Sequence, residues 1–328
     1  MNTGLDAPSV VIGLSAVTVA IRDGEAVVLT VRPHDAVTDR TSTLAGLPFG
    51  PFNPQADRTF ELALRDFVTE QTGFELGYVE QLYTFGDKGR DAPRAEVGAG
   101  AARVVSVGYL ALTPAAAGAK ADTAWAPWSR FFPWEDWREG RPAAIDDALA
   151  PALRAWAGHD DSRLSRVRLH FALDGAPWNE ERVLERYELL YEAGLAPEAA
   201  RDLARDQGRP AAEPAALSPA FGEPMISDHR RILATGLGRL RGKLKYRPIV
   251  FEVMPPEFTL SALQRTVEAI VGVALHKQNF RRVVERTDLV EGLGRLDVET
   301  GGRPAELFRV RREALAARPA FGLSLPLL

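Results

Sequence analysis

At 328 residues the chain exceeds the length at which one hydrophobic core keeps growing, so two or three domains are expected. Its composition, 46% hydrophobic and 26% charged, is that of a globular protein, and no apolar run approaches the roughly 18 residues of a membrane span. The absence of cysteine excludes disulfides, zinc fingers and thiol chemistry, and "MNTGLDAPSV" lacks the basic and apolar parts of a signal peptide, so the expected location is cytoplasmic. The net charge of -4 conceals a division: residues 230–328 hold 18 Lys+Arg against 10 Asp+Glu, or +8, which leaves 22 against 34, or -12, for residues 1–229. An acidic body with a basic tail suggests a nucleic-acid-binding module joined to something else.

In chain order, "SVVIGLSAVTVAI" and "EAVVLTVR" are β-branched runs around the turn "RDGE", a hairpin signal. In "TFELALRDFVTEQTG", Phe60, Ala63, Leu64, Phe67 and Val68 make the stripe of an amphipathic helix, and Gly73 stands where its C-cap belongs. "YVEQLYTFG" and "ARVVSVGYLALTP" predict two further strands, joined by the loop "DKGRDAPRAEVGAGA". "PAAAGAKADTAWAPW" is linker-like, and the six tryptophans fall between Trp125 and Trp178. "NEERVLERYELLYEAGLAPEAARDLARD" predicts two helices, with Val183, Leu184, Tyr187, Leu190 and Tyr191 on one face of the first and a Gly194 stop before Pro197. A proline-rich linker follows in "QGRPAAEPAALSPAFGEP".

The last hundred residues predict a helix in "DHRRILATGLGRLRGKLKY", buried along Ile232, Leu233, Gly236, Leu237, Leu240 and Leu244. Thr259 then caps a second helix in "PPEFTLSALQRTVEAIVG". In "LHKQNFRRVVERTDLVEG" Phe280, Val283 and Val284 face inward, and two strands follow around "TGGRP". Helix, helix, basic helix and β-hairpin in that order make a winged helix. The expected DNA-side residues are Lys277, Gln278, Asn279, Arg281 and Arg282 on the recognition helix, with Thr259 before it and Arg303 at the wing tip. Asn and Gln bridge an adenine edge, Arg and Lys a guanine edge, and the cations also neutralise phosphates.

"RDFVTEQTGF" ends like the Nudix box of nucleotide pyrophosphatases, G-x5-E-x7-R-E-U-x-E-E-x-G-U. With its last glycine on Gly73, Asp66 takes the arginine slot, Phe67 the first glutamate slot, and Glu70 and Gln71 the other two. Those glutamates would share one helical face and hold magnesium. One carboxylate of three survives, and Gly50 stands two residues too far upstream for the opening glycine. No catalytic residue and no metal ligand is therefore assigned, and efficient hydrolysis is not expected.

"YVEQLYTFGDKGRD" with "RVVSVGYLAL", and "DHRRIL", "RLRGKLKYRPIVFEVMPPEFTL", "NFRR" and "GRPAELFRV" in the C-terminal half, resemble the Nudix-related regulators of NAD metabolism, the NrtR family. The two matches cover residues 8–114 and 224–311. The block between them is absent from the shorter members, which makes the chain look more like the longer NadQ regulators. The resemblance implies an α+β chain: a Nudix-like mixed α/β/α sandwich over 8–138, a helical insertion and linker over 139–222, and a winged helix-turn-helix over 223–328. It implies a transcriptional regulator of repressor type, homodimeric on a palindromic operator, that requires no cofactor and senses ADP-ribose, NAD or ATP. Arg32, Glu70, Phe85, Asp87, Arg90 and Arg103 are the pocket candidates, arginines suiting a pyrophosphate and Phe85 an adenine, with surface and core roles as the alternatives. His229 is read either as a relay at the domain junction or as a capping or salt-bridging residue, and Asp228 as a helix N-terminal charge. Two further readings stay open: a hydrolase of ADP-ribose that recruits Glu61 or Asp57 beside Glu70, and a winged helix that binds protein.

Overall fold

The computed structural model describes residues 10–32, 34–35, 40–73, 75–86, 103–114, 122–209, 218–297 and 304–313. The N-terminal half begins with β1 (Val10–Arg22) and β2 (Glu25–Val31). Asp23 and Gly24 between them both have positive φ, 52° and 78°, as a two-residue type I′ hairpin requires. Short strands β3 (His34–Asp35), β4 (Arg40–Thr41) and β5 (Phe49–Pro51) lead to α1 (Phe60–Thr72). The Thr59 hydroxyl caps α1 by accepting from Leu62 N–H, and Gly73 ends it in the left-handed conformation at φ 80°. Strands β6 (Tyr78–Phe85), β7 (Arg103–Leu112) and β8 (Thr123–Pro127) complete a sheet of order β6-β7-β1-β2-β8 in which β7 runs parallel to β1 and β5 pairs with β1.

Helices α2 (Ala150–Ala157), α3 (Asp161–His170), α4 (Val183–Glu192) and α5 (Pro197–Asp206) form the middle of the chain, and α6 (His229–Leu244) follows. The C-terminal elements are β9 (Glu257–Thr259), α7 (Leu260–Val271), α8 (Lys277–Thr287), β10 (Val290–Asp297) and β11 (Ala305–Val310), with sheet order β10-β11-β9. This is the expected winged helix, extended by β9. The wing tip, including Arg303, lies outside the described residues.

The alternation of β1 sends its side chains to two cores. Leu14 and Ala16 pack with Ala63, Leu64 and Val68 of α1. Val17 and Val19 face the other way, into a core shared with Ile232, Leu233 and Leu237 of α6. The sheet is therefore covered by α1 on one face and α6 on the other. Gly236 makes the second contact close: a Cβ there would lie 2.9 Å from Val17 Cγ1. Gly236→Val is expected to overpack this seam and lower stability by about 1–3 kcal/mol in urea unfolding.

The same core continues through Trp134 and, in the middle segment, Phe171 and Tyr187, to Leu263, Phe280 and Val284 of the winged helix. Two expectations are corrected here. The Ala/Pro tract is not all linker, because Ala124–Ala126 within it pair with β2 as an edge strand. The middle segment also has two helices beyond the predicted pair, α2, which buries Ala150, Leu153 and Ala157, and α3, which buries Val167 alone. At the end of α3, burial and the nearby Arg182, Arg186 and Arg166 pull the His170 imidazole down to about 4 from an ordinary 6.5. Its Nδ1 has no hydrogen-bond partner among the described residues. A base harder to protonate when folded binds fewer protons than the unfolded chain between those two values. Stability should therefore fall as pH drops from about 6.5 towards 4, and His170→Gln should flatten that slope in unfolding midpoints across the window.

Candidate functional site

The slots of the box that would carry metal ligands instead tie α1 to the strand before it. Phe67 packs partly buried on the α1 core, its ring 3.2 Å from where a Gly50 Cβ would stand. Gln71 Nε2 donates to the Phe49 carbonyl at 2.7 Å. Asp66 and Glu70 remain exposed on α1. The two carboxylates that a hydrolase would recruit are engaged elsewhere: Glu61 with Arg65 at 2.9 Å, and Asp57 with the Asn53 N–H at 2.6 Å. Among the described residues no group of three His, Cys, Asp or Glu is placed to hold a metal ion.

The sheet register brings several pocket candidates to one end of the sandwich. Phe85 pairs with Ser106, Arg103 with Val10, and Phe49 with Ser15. Exposed Arg32 follows β2, its N–H donating to Asp122 O. Arg103 Nη2 donates to Gly86 O at 2.6 Å and so fastens the end of β6. Asp87 and Arg90 lie outside the described residues. The Phe85 ring covers Gly108 beside Ile232, on the α6 face, whereas Glu70 belongs to α1 on the opposite face. Phe85 is partly buried against the core on the α6 side.

His229 stands at the start of α6 and reaches across to the segment before β5. Its Nδ1 accepts from Leu47 N–H at 2.9 Å, which places the ring proton of the neutral imidazole on Nε2. Its ring stands edge-on to Phe49 at 5.1 Å. The start of α6 thus holds the segment that α1 holds through Gln71.

In the winged helix, Lys277, Gln278, Asn279, Arg281 and Arg282 are all exposed while Phe280 and Val284 are buried. Arginine, asparagine and glutamine therefore share one solvent face of α8. Thr259 is corrected: it is 5% exposed, and its hydroxyl accepts from Ala262 N–H as the cap of α7, so it has no surface to offer DNA. In the wing, Arg295 pairs with Glu257 at 2.5 Å and Arg309 with Glu291 at 2.6 Å.

Residues 250–310 match the model of the NrtR DNA-binding winged helix domain. This segment is similar to the DNA-binding part of that family. A curated relative, the ADPR responsive transcriptional repressor NtrR of Acinetobacter baylyi, is 38% identical over 82 residues, which are 25% of this chain and 32% of the relative. The match thus spans about a third of that relative's length. Among solved structures, Shewanella oneidensis NrtR aligns at TM-score 0.53 with 20% identity, over 94% of this chain and 97% of its own. A MutT/nudix family protein from Enterococcus faecalis aligns at TM-score 0.51 with 17% identity, over 95% of this chain and 89% of its own. These likenesses show the fold: a Nudix-type sandwich and a winged helix in one chain.

What residue patterns did not reveal is how α6 is fastened to the rest. Glu135, Arg186 and Arg241 are fully buried together. The Glu135 carboxylate accepts from Arg186 Nε at 2.5 Å and Nη2 at 2.8 Å, and from Arg241 Nη1 at 2.5 Å. Arg230 is likewise buried, donating to the Phe131 and Phe221 carbonyls and to Glu198 at 3.4 Å. Lys243, near the end of α6, bonds Tyr78 Oη at 2.7 Å and pairs with Glu80 of β6. Among the described residues no helix is long and apolar enough to cross a membrane.

Proposed function

We propose that the protein is a transcriptional regulator of repressor type, acting on genes of NAD synthesis or salvage and responding to an adenine nucleotide in a Nudix domain that has lost its chemistry. The observation that carries this reading is the rebuilt box joined to an NrtR-like winged helix. Two of its three ligand slots, Phe67 and Gln71, are committed to holding β5, so the fold keeps the helix without the carboxylate set that polarises a pyrophosphate.

ADP-ribose is the first effector to test, because the Acinetobacter repressor is ADPR responsive; NAD and ATP come next. Arg32, Glu70, Asp87, Arg90 and Arg103 are the proposed ligand-side residues. Lys277, Gln278, Asn279, Arg281, Arg282 and Arg303 are the proposed DNA side. The division at 8–138, 139–222 and 223–328 is kept as sensing, middle and DNA-binding parts. A cytoplasmic homodimer on a palindromic operator completes the reading, since a two-fold protein matches a two-fold site.

The test is a titration of purified protein onto DNA from upstream of the host's NAD-synthesis genes, with and without ADP-ribose, NAD and ATP. A sequence-specific complex whose affinity shifts with one nucleotide supports the proposal. Magnesium-dependent release of AMP from ADP-ribose, abolished by Glu70→Gln, with no specific DNA complex, replaces it by the hydrolase.

A further inference from the structure

We propose that residues 128–206, from the turns after β8 through α5, couple the two ends of the molecule, and that Glu135 is the positioning residue through which nucleotide-site movements reach the recognition helix. The response to nucleotide rests on the function proposed above; the mechanical part does not.

The path begins at residues 45–49. Ile226 N–H donates to Ala45 O at 3.0 Å, Leu47 N–H to His229 Nδ1 at 2.9 Å, and Gly46 has no room for a Cβ beside Ile226. The same segment is bound to α1 through Gln71, so a shift of the rebuilt box pulls on the start of α6. Helix α6 has 16 residues and therefore spans about 24 Å as a rigid rod.

At its far end α6 meets Glu135. Arg241 bonds the Glu135 carboxylate, and its Nε donates to Ile270 O at 2.9 Å. Trp137 N–H donates to Gly272 O at 2.6 Å. Ile270 lies in the last turn of α7, whose terminal carbonyls have no partner within the helix, and Gly272 is its cap; both carbonyls accept from outside α7. Gly272 sits at φ 75°, and a Cβ there would collide with the Glu135 carbonyl oxygen and the Arg241 guanidinium. Five residues later α8 begins, packed on α7 through the core that holds Leu263 and Phe280.

The segment carrying Glu135 is itself anchored on the sensing side. Arg138 donates to Gly24 O at 3.0 Å and pairs with Glu25 at 2.7 Å, at the tip of the β1–β2 hairpin. Arg186 links Glu135 to α4. One buried carboxylate therefore joins α4 to α6, and through Arg241 to the end of α7, and its burial makes the joint stiff, because bulk solvent is not at hand to replace a broken bond.

The experiment compares full-length wild type, Glu135→Gln and Gly272→Ala. Gly272→Ala forces the joint apart from the winged-helix side, against the Glu135 carbonyl and the Arg241 guanidinium, without removing the carboxylate itself, so it remains informative if Glu135→Gln does not fold. Scanning calorimetry reads the mechanical claim: one cooperative unfolding transition for wild type and two for a variant are expected. Operator affinity with and without ADP-ribose reads the coupling. Wild-type ratios of the usual size, about 5- to 150-fold, should fall to within about twofold of one, while ADP-ribose still binds by titration calorimetry and DNA still binds without it. Retention of a single transition and of the wild-type ratio in Gly272→Ala overturns the inference. A wild-type ratio of one defeats the regulatory reading instead, and the calorimetric result still decides the mechanical claim.

Discussion

Replacing Asn279 and Arg282 together by alanine is expected to lower affinity for the operator by about 30-fold or more, since each well-placed bidentate contact to a base edge is worth about 1–3 kcal/mol and about 1.4 kcal/mol is tenfold. Both side chains lie on the exposed face of α8, opposite Phe280 and Val284, so the winged helix keeps its packing and the loss belongs to recognition. Affinity for scrambled DNA should fall much less. The dependence of log affinity on log salt should become shallower by about one unit for each phosphate contact removed. Anisotropy titrations on operator and scrambled duplexes at two salt concentrations separate these outcomes. Equal losses on both duplexes would leave α8 as a backbone-contacting element, and no loss on either would remove it from the DNA interface.

Local rules served well where one element explains itself. The α6 stripe, the α1 helix with its glycine stop, the Thr259 cap and the tight hairpin all follow from periodicity and turn chemistry, and each is present. The box was readable as damaged, because an aromatic ring cannot ligate a hard cation. What replaced its function was not readable: the Phe67 contact with Gly50 and the Gln71 bond to Phe49 depend on how the chain returns to α1. The same holds for β8, whose alanines carry little strand signal and pair only because β2 has a free edge.

The charge argument was weaker than its arithmetic. The +8 of residues 230–328 includes Arg230, Arg241 and Lys243, all buried and paired with Glu198, Glu135 and Glu80 from the acidic part of the chain. Those cations face the protein, and Arg295 and Arg309 of the wing are paired as well. Among the described residues, α8 carries four exposed cations, Lys277, Arg281, Arg282 and Arg286. A count along the sequence cannot separate the two uses of arginine, since the partners stand 32 to 163 residues away.

Arg230→Met is expected to destabilise the protein by about 3–5 kcal/mol, the usual cost of removing one partner from a buried ion pair. Arg230 has no exposed surface and Glu198 has 1%, so the abandoned carboxylate would have no water to turn to. Its Oε1 would still accept from Met225 N–H at 3.1 Å, but the Phe131 and Phe221 carbonyls would each lose a donor, at about 1–3 kcal/mol per buried group. Removing the stranded charge as well, in Arg230→Met with Glu198→Gln, should recover part of the loss, because a buried charge without its partner is worse than a neutral amide in the same place. Urea unfolding midpoints of the two single variants and the double, at constant slope, measure this coupling. A double variant no more stable than Arg230→Met would mean that the arginine acts as a donor to Phe131 and Phe221, stitching the middle segment to α6, and that its pairing with Glu198 contributes nothing net.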